Sequence, residues 1–266
     1  MRQLVLALVL IGSVAHAERR SPLAGQPQIR HRLEMRTLRF EVAPQFVVST
    51  NQDFRHFLGG GLVLQFHLND WLGVGFQGAF GGGLNSALTD KVLATLPEME
   101  SGKQPSRDQF TAHLSSTSLL LSGYLTLTPI VGKVALFGAA FLRYDLYGLV
   151  GVGGMSLKNS FNASDAMVSS AEKCMNGDSN WCDPQNAGFK FGGVFGVGVH
   201  LFFNDWIGAN FELRDYLAST NPGGFDVDGD SKIGGANGNP DSTISNNLFF
   251  GMGVSLMFPT TPKISL

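Results

Sequence analysis

"NLFFGMGVSLMF", Asn247 to Phe258, is the stretch on which the fold turns. Leu248, Phe250, Met252, Val254, Leu256 and Phe258 occupy every second position, while Asn247, Phe249, Gly251, Gly253, Ser255 and Met257 fill the alternate ones. A strand sends successive side chains to opposite faces, so strict alternation over this length predicts a β-strand. Its length matches the roughly 10-residue segments of a membrane barrel.

The same rule selects seven further segments, at about 36–48, 57–68, 71–82, 115–128, 133–148, 188–203 and 206–218. In the second, Leu62, Leu64, Phe66 and Leu68 face one way and Gly61, Val63, Gln65 and His67 the other. The second faces are rich in Gly, Ala, Ser and Gln. A soluble sandwich would instead solvate that face with Lys, Glu and Asp. Small and uncharged side chains suit the interior of a narrow barrel, where about eight strands leave just enough room for side chains to fill the lumen.

Connections alternate in length. Tight turns are predicted near Asn69-Asp70, between Thr128 and Lys133, and at Asn204-Asp205, with long segments at about 83–114, 155–187 and 219–246. Short turns on one side and long loops on the other is the pattern of bacterial outer-membrane barrels. The expected fold is therefore all-β: an eight-stranded antiparallel transmembrane β-barrel with short periplasmic turns and long outer loops.

Composition agrees. The 266 residues include 34 Gly and 21 Phe but 4 Tyr, and only 15% are charged, with a formal net charge of −2. Nothing is basic enough to suggest a nucleic-acid partner. After the N-terminus no stretch reaches the roughly 18 apolar residues of a membrane helix, so a membrane location requires a closed barrel. At the N-terminus itself, Arg2, the apolar run Leu4–Val14 and Ala15-His16-Ala17 read as a signal peptide cleaved after Ala17. The expected layout is signal peptide 1–17, periplasmic segment 18–35, barrel 36–258 and tail 259–266. The expected location is a bacterial outer membrane, with membrane lipid and lipopolysaccharide as surroundings. Envelope proteins would be met through outer loops or periplasmic turns.

Ionisable residues recur at i, i+2 spacing on the inward phase: Arg39 with Glu41, Arg143 with Asp145, and Glu212 with Arg214. Lys190, His200, His67, Gln45, Gln65 and Gln77 share that phase. Opposite charges in a narrow lumen must pair, because an unpaired buried ion costs several kcal/mol. A salt-bridge network plugging the barrel is the first expectation, and a gated ion path or ligand pocket the second. The two Asn-Asp-Trp triplets are read as two-residue hairpin turns, with Trp71 and Trp206 at the membrane interface.

Catalytic and metal signals are thin. A hydrolase would need His113, Ser115 or Ser116 and an acid such as Asp145 or Asp215 to converge, and no GxSxG elbow supports it. No catalytic or cofactor-binding residue is therefore assigned. Asp226, Asp228 and Asp230 in "DVDGDSKI" alternate as Ca²⁺ ligands can, yet Ser231 and Asn237 stand where an EF-hand places Gly and Glu. A simply solvated acidic loop is the first expectation and a Ca²⁺ ion bound there the second; no other cofactor is expected. Cys174 and Cys182 suit a loop disulfide in an oxidising compartment. Short helices are expected at about Thr89–Met99 and Ala163–Lys173.

From Leu38 to Phe80 the chain, "LRFEVAPQFVVSTNQDFRHFLGGGLVLQFHLNDWLGVGFQGAF", resembles the myxobacterial-type outer-membrane β-barrel domain family, small OmpA-like barrels. The resemblance lies in a first strand, a short loop, a Gly-rich second strand and a hydrophobic-x-Asn-Asp-Trp turn. It implies a small eight-stranded outer-membrane barrel of largely unassigned activity, and the function expected for this chain is that of a non-enzymatic envelope scaffold. Some family members are similar to barrel components of trans-envelope motility and adhesion machinery. The alternatives are a narrow channel for small solutes or ions, and a loop-gated outer-membrane hydrolase.

Overall fold

In the computed structural model, which describes residues 36–98, 106–136, 140–159, 188–220 and 243–261, every predicted strand is present. The strands are β1 (Arg39–Ser49), β2 (Arg55–His67), β3 (Leu72–Asn85), β4 (Ser116–Leu136), β5 (Ala140–Lys158), β6 (Gly188–Phe202), β7 (Ile207–Thr220) and β8 (Thr243–Phe258). Each pairs antiparallel with its sequence neighbours, and β8 pairs back onto β1, with Phe40 opposite Phe258. Closure leaves no sheet edge, the requirement for a sheet in hydrocarbon.

The alternation read from the sequence is the alternation of burial. Along β1, Arg39, Glu41, Ala43, Gln45, Val47 and Ser49 point into the lumen, while Phe40 and Phe46 lie on the outer wall. Along β8, Phe249, Ser255 and Met257 are buried and Met252, Val254 and Phe258 are exposed. The outer wall is thus an apolar surface that includes Leu62, Phe76, Leu125, Val150, Val152, Phe195 and Val197. Such a surface is stable against lipid and costly against water.

One predicted turn is corrected. Thr128–Lys133 is not a tight turn: β4 runs on to Leu136 and pairs with Ala140. Pro129 lies at a register shift between Leu127 and Ile130, where its missing N–H breaks no ladder bond. The Thr128 N–H closes the β3 side on the Trp71 carbonyl at 2.8 Å; beyond it β4 pairs only with β5, which itself stays paired with β6 as far as Arg143.

At the loop end, the β3–β4 connection carries α1 (Ala87–Thr95) and α2 (Arg107–His113). Helix α1 begins two residues before the predicted Thr89, because Ser86 is the N-cap and accepts the Thr89 N–H. The predicted helix at Ala163–Lys173, the Cys174–Cys182 pair, the acidic Asp226, Asp228 and Asp230, and the signal peptide lie outside the described residues.

Candidate functional site

The lumen holds two kinds of buried material. From the turn end to mid-barrel it is charged and polar, and towards the loop end it is apolar.

At the turn end, a chain of ionisable groups crosses the lumen. Arg36 Nη1 donates to Asp145 Oδ2 at 2.8 Å, and the other oxygen of Asp145 lies 2.8 Å from His200 Nδ1. His200 Nε2 lies 3.1 Å from Glu41 Oε1, and Glu41 Oε2 lies 3.0 Å from His67 Nε2. The Ser255 hydroxyl also donates to Glu41. All six side chains are essentially fully buried. Each carboxylate oxygen named here has a polar partner, as burial of charge demands.

Midway up, Arg214 Nε donates to Glu212 Oε1 at 2.8 Å, and its guanidinium lies 4.3 Å from the Tyr124 ring centroid. Tyr147 donates its hydroxyl towards Asn210 and Glu212, each at 2.9 Å, and its ring stacks on His200 at 4.6 Å. Inward glycines make room for these rings. A Cβ on Gly75 would come within 2.5 Å of Tyr124, and one on Gly198 within 2.3 Å of Tyr147. Glycine is what lets a tyrosine lie flat across the neighbouring strand.

Above this, Val47, Phe57, Leu120, Met155, Val194 and Phe249 form an apolar layer. Phe249 meets Phe57 and Tyr216 edge-on, with centroids 5.7 and 5.6 Å apart. Charges below and hydrocarbon above together fill the cylinder.

Of the predicted lumen charges, Arg39, Glu41, Asp145, His200, Glu212 and Arg214 are buried inside it. Only Glu212 and Arg214 pair along one strand as their spacing suggested. Glu41 is met by His67 and His200 rather than by Arg39, which donates to the carbonyls of Pro259 and Asp205. Arg143 stands at the turn-end rim, not in the lumen, and pairs with Asp205 at 2.8 Å. Lys190, at the loop end of the inward phase, is half-buried and has no carboxylate partner among the described residues. Partners come from across the barrel because the lumen is narrow enough for side chains of opposite walls to touch.

Arg36 escaped the sequence reading. Period-2 counting from Arg39 puts it on the outer face, but Leu38 has φ of 56° and turns the chain. The Arg39 N–H then closes on the Arg36 carbonyl at 2.9 Å, folding Arg36 under the barrel. Its backbone N–H donates to Asp70 Oδ1 at 2.8 Å, and Nη2 donates to the Asp70 carbonyl. A non-glycine residue with positive φ cannot be read from alternation.

Nor are the Asn-Asp-Trp turns two-residue hairpins. The Leu68 N–H bonds the Leu72 carbonyl and the Phe203 N–H bonds that of Ile207, so each turn holds Asn, Asp and Trp together. Asn69 Oδ1 accepts from the N–H groups of Trp71 and Leu72, and Asn204 Oδ1 from those of Trp206 and Ile207. Asp70 grips Arg36 and Thr37, and Asp205 grips Arg143 and Arg39. Partial burial pushes the Asp70 carboxyl up. The N–H groups of Arg36 and Thr37, with the Thr37 hydroxyl and the Arg36 charge, outweigh that and hold it below its usual value. Trp71 and Trp206 are exposed, at the level expected for an aromatic girdle.

The chain is an eight-stranded barrel of the outer-membrane type. No protein-family model matches the sequence, and a search of curated proteins returns no match. The myxobacterial-type family is accordingly not shown. Among solved structures, the chain is similar to the outer membrane protein OprG of Pseudomonas aeruginosa, at 12% identity and TM-score 0.45, covering 84% of this chain and 97% of that one. It is also similar to the N-terminal β-barrel domain of Pseudomonas aeruginosa OprF, at 10% and 0.39, covering 84% and 98%. Ail, the attachment invasion locus protein of Yersinia pestis, matches at 10% and 0.37, covering 83% and 97%. These identities are too low, and the superpositions too loose, to carry any residue's role across.

With Asp145 as its acid, the hydrolase constellation does not form. Asp145 lies at the turn end, beside Arg36 and His200, whereas Ser116 pairs with Lys158 at the loop end. Asp145 and Lys158 are separated along β5 by roughly 40 Å at about 3.3 Å per residue. Asp215, the other candidate acid, accepts the Asn247 N–H.

Proposed function

We propose that the chain is a non-enzymatic scaffold of a bacterial outer membrane, sealed to solutes, with α1, α2 and its loops on the outside and its Asn-Asp-Trp turns in the periplasm. The observation that carries this reading is the double seal: a cross-barrel charge network beneath an apolar layer. A path for ions would have to part both, exposing paired charges and core hydrocarbon at once.

The apolar outer wall and the girdle tryptophans support the location. The resemblance of residues 38–80 to the myxobacterial-type family extends the proposal to a part in a trans-envelope motility or adhesion complex, with envelope proteins as partners. The projecting end of the β4–β5 hairpin, where Val134–Leu136 pair with Ala140–Leu142, is a suitable periplasmic contact.

Reconstitution in planar bilayers tests the seal. The expected result is a closed trace at moderate voltage, and steady unitary openings would overturn the scaffold in favour of the channel.

A further inference from the structure

Above the apolar layer the barrel opens into a small polar cup of about 150 Å³. Its wall combines the β1–β2 loop, from Asn51 to Phe54, with the loop-end residues of β2, β4, β5, β7 and β8. Leu157, part of the apolar layer, is its floor. The cup is therefore blind. Whatever enters can bind there but cannot pass.

The cup is held in shape before anything enters. Asn51 bonds the Asn246 carbonyl and the Leu248 N–H, tying the loop to β8. On its other side, the hydroxyls of Ser86 and Thr89 donate to the carbonyls of Asp53 and Phe54, so the start of α1 clamps the loop. Phe54 is braced edge-on by Phe110, centroids 5.9 Å apart. A site built this way loses little conformational freedom on binding.

Several polar groups around the cup remain available among the described residues. The Asp53 carboxylate has no side-chain partner, Gln52 spends only its amide N–H, on Thr117, and Asn247 only its Nδ2. On the donor side, Arg55 lines the cup, and its Nε, itself out of reach of solvent, has no acceptor. Donors and acceptors stand side by side, next to one aromatic face.

We propose that this cup binds a neutral sugar ring at the end of a glycan. A ring hydroxyl both donates and accepts, so vicinal hydroxyls can satisfy the guanidinium of Arg55 and the oxygens of Asp53 and Gln52 together. The C–H face of the ring lies against Phe54. A simple anion would use Arg55 but would meet the Asp53 carboxylate, and an apolar ligand would leave every polar group unpaired. This inference stands apart from the seal, since a cup floored by Leu157 needs no pore.

The test titrates methyl glycosides of glucose, galactose, mannose and N-acetylglucosamine, with inorganic phosphate as comparator, against the full chain in lipid nanodiscs by saturation-transfer NMR. Saturable binding of at least one glycoside is expected, weakened at least tenfold by Arg55→Met and by Asp53→Asn. The turn-end control Thr37→Ala should leave it unchanged, and circular dichroism confirms that each variant is folded. Failure of all four glycosides to bind, unaltered binding in both cup variants, or phosphate binding more tightly than any glycoside would overturn the proposal. With binding established, oligosaccharide released from the cell's own lipopolysaccharide is compared with oligosaccharide from foreign glycoproteins. Tighter binding of either supports the site and identifies the source.

Discussion

The lower and upper halves of the lumen are both filled by side chains, and by opposite means. Below, Arg36, Asp145, His200, Glu41 and His67 hold one another in a chain, and above, Phe57, Leu120, Met155 and Phe249 pack hydrocarbon on hydrocarbon. An apolar layer tolerates the loss of an atom by partial collapse. A charged layer cannot, because every partner removed leaves an ion behind in a low-dielectric cylinder. The lower half is therefore the more specific and the more brittle.

The largest effect should follow from cutting an ion pair in the charged half. Arg214→Ala strands Glu212 and should lower stability by about 3–5 kcal/mol. Urea unfolding in lipid vesicles measures it, and Glu212→Gln combined with Arg214→Met should recover most of the loss. If Arg214→Ala alone cost under about 1 kcal/mol, the contrast between the halves would be broken.

In the apolar half, Leu120→Ala should cost about 2–5 kcal/mol, the range for a buried leucine. Its fully buried side chain carries no charge to strand, so Leu120→Met should be close to neutral, below about 1.5 kcal/mol. The same unfolding assay separates the two variants.

Smaller changes are expected at the turns. Asn69→Ala and Asn204→Ala each remove a side-chain oxygen that accepts two backbone N–H groups, at a cost of about 1–2 kcal/mol each. Restoration by Asp, which keeps the acceptor, would sharpen the assignment.

The smallest effect is the pH dependence at Asp70. Its folded carboxyl titrates below its usual value, so its contribution is present above the unfolded value, about 3.9, and fades as pH falls through the folded one. Stability should therefore decline on acidification below about pH 4, and Asp70→Asn should flatten that part of the curve. An identical decline in the variant would remove Asp70 from the account.

Much of the barrel was legible in the sequence, and the reason is geometric. Inward and outward residues differ in chemistry, the period is two, and membrane-facing strands must keep it over their whole length. That is why "NLFFGMGVSLMF" alone points to β8 and to which of its residues face lipid. The turn expected between Thr128 and Lys133 does not form, because Pro129 sits at a register shift that only the partner strand reveals. The phase likewise placed Glu41, Asp145, His200, Glu212 and Arg214 in the lumen.

Their partners were another matter. Glu41 meets His200, and Arg36 meets Asp145, across sequence separations that no local rule spans. Arg36 enters the lumen through one left-handed residue, Leu38, and Asp70 and Asp205 take their arginines from other segments. The loop-end cup exists only where several strand ends converge on the clamped loop Asn51–Phe54. Alternation is a property of each strand and is written in the sequence. Pairing inside a closed cylinder depends on which walls face one another, and closure and register decided that.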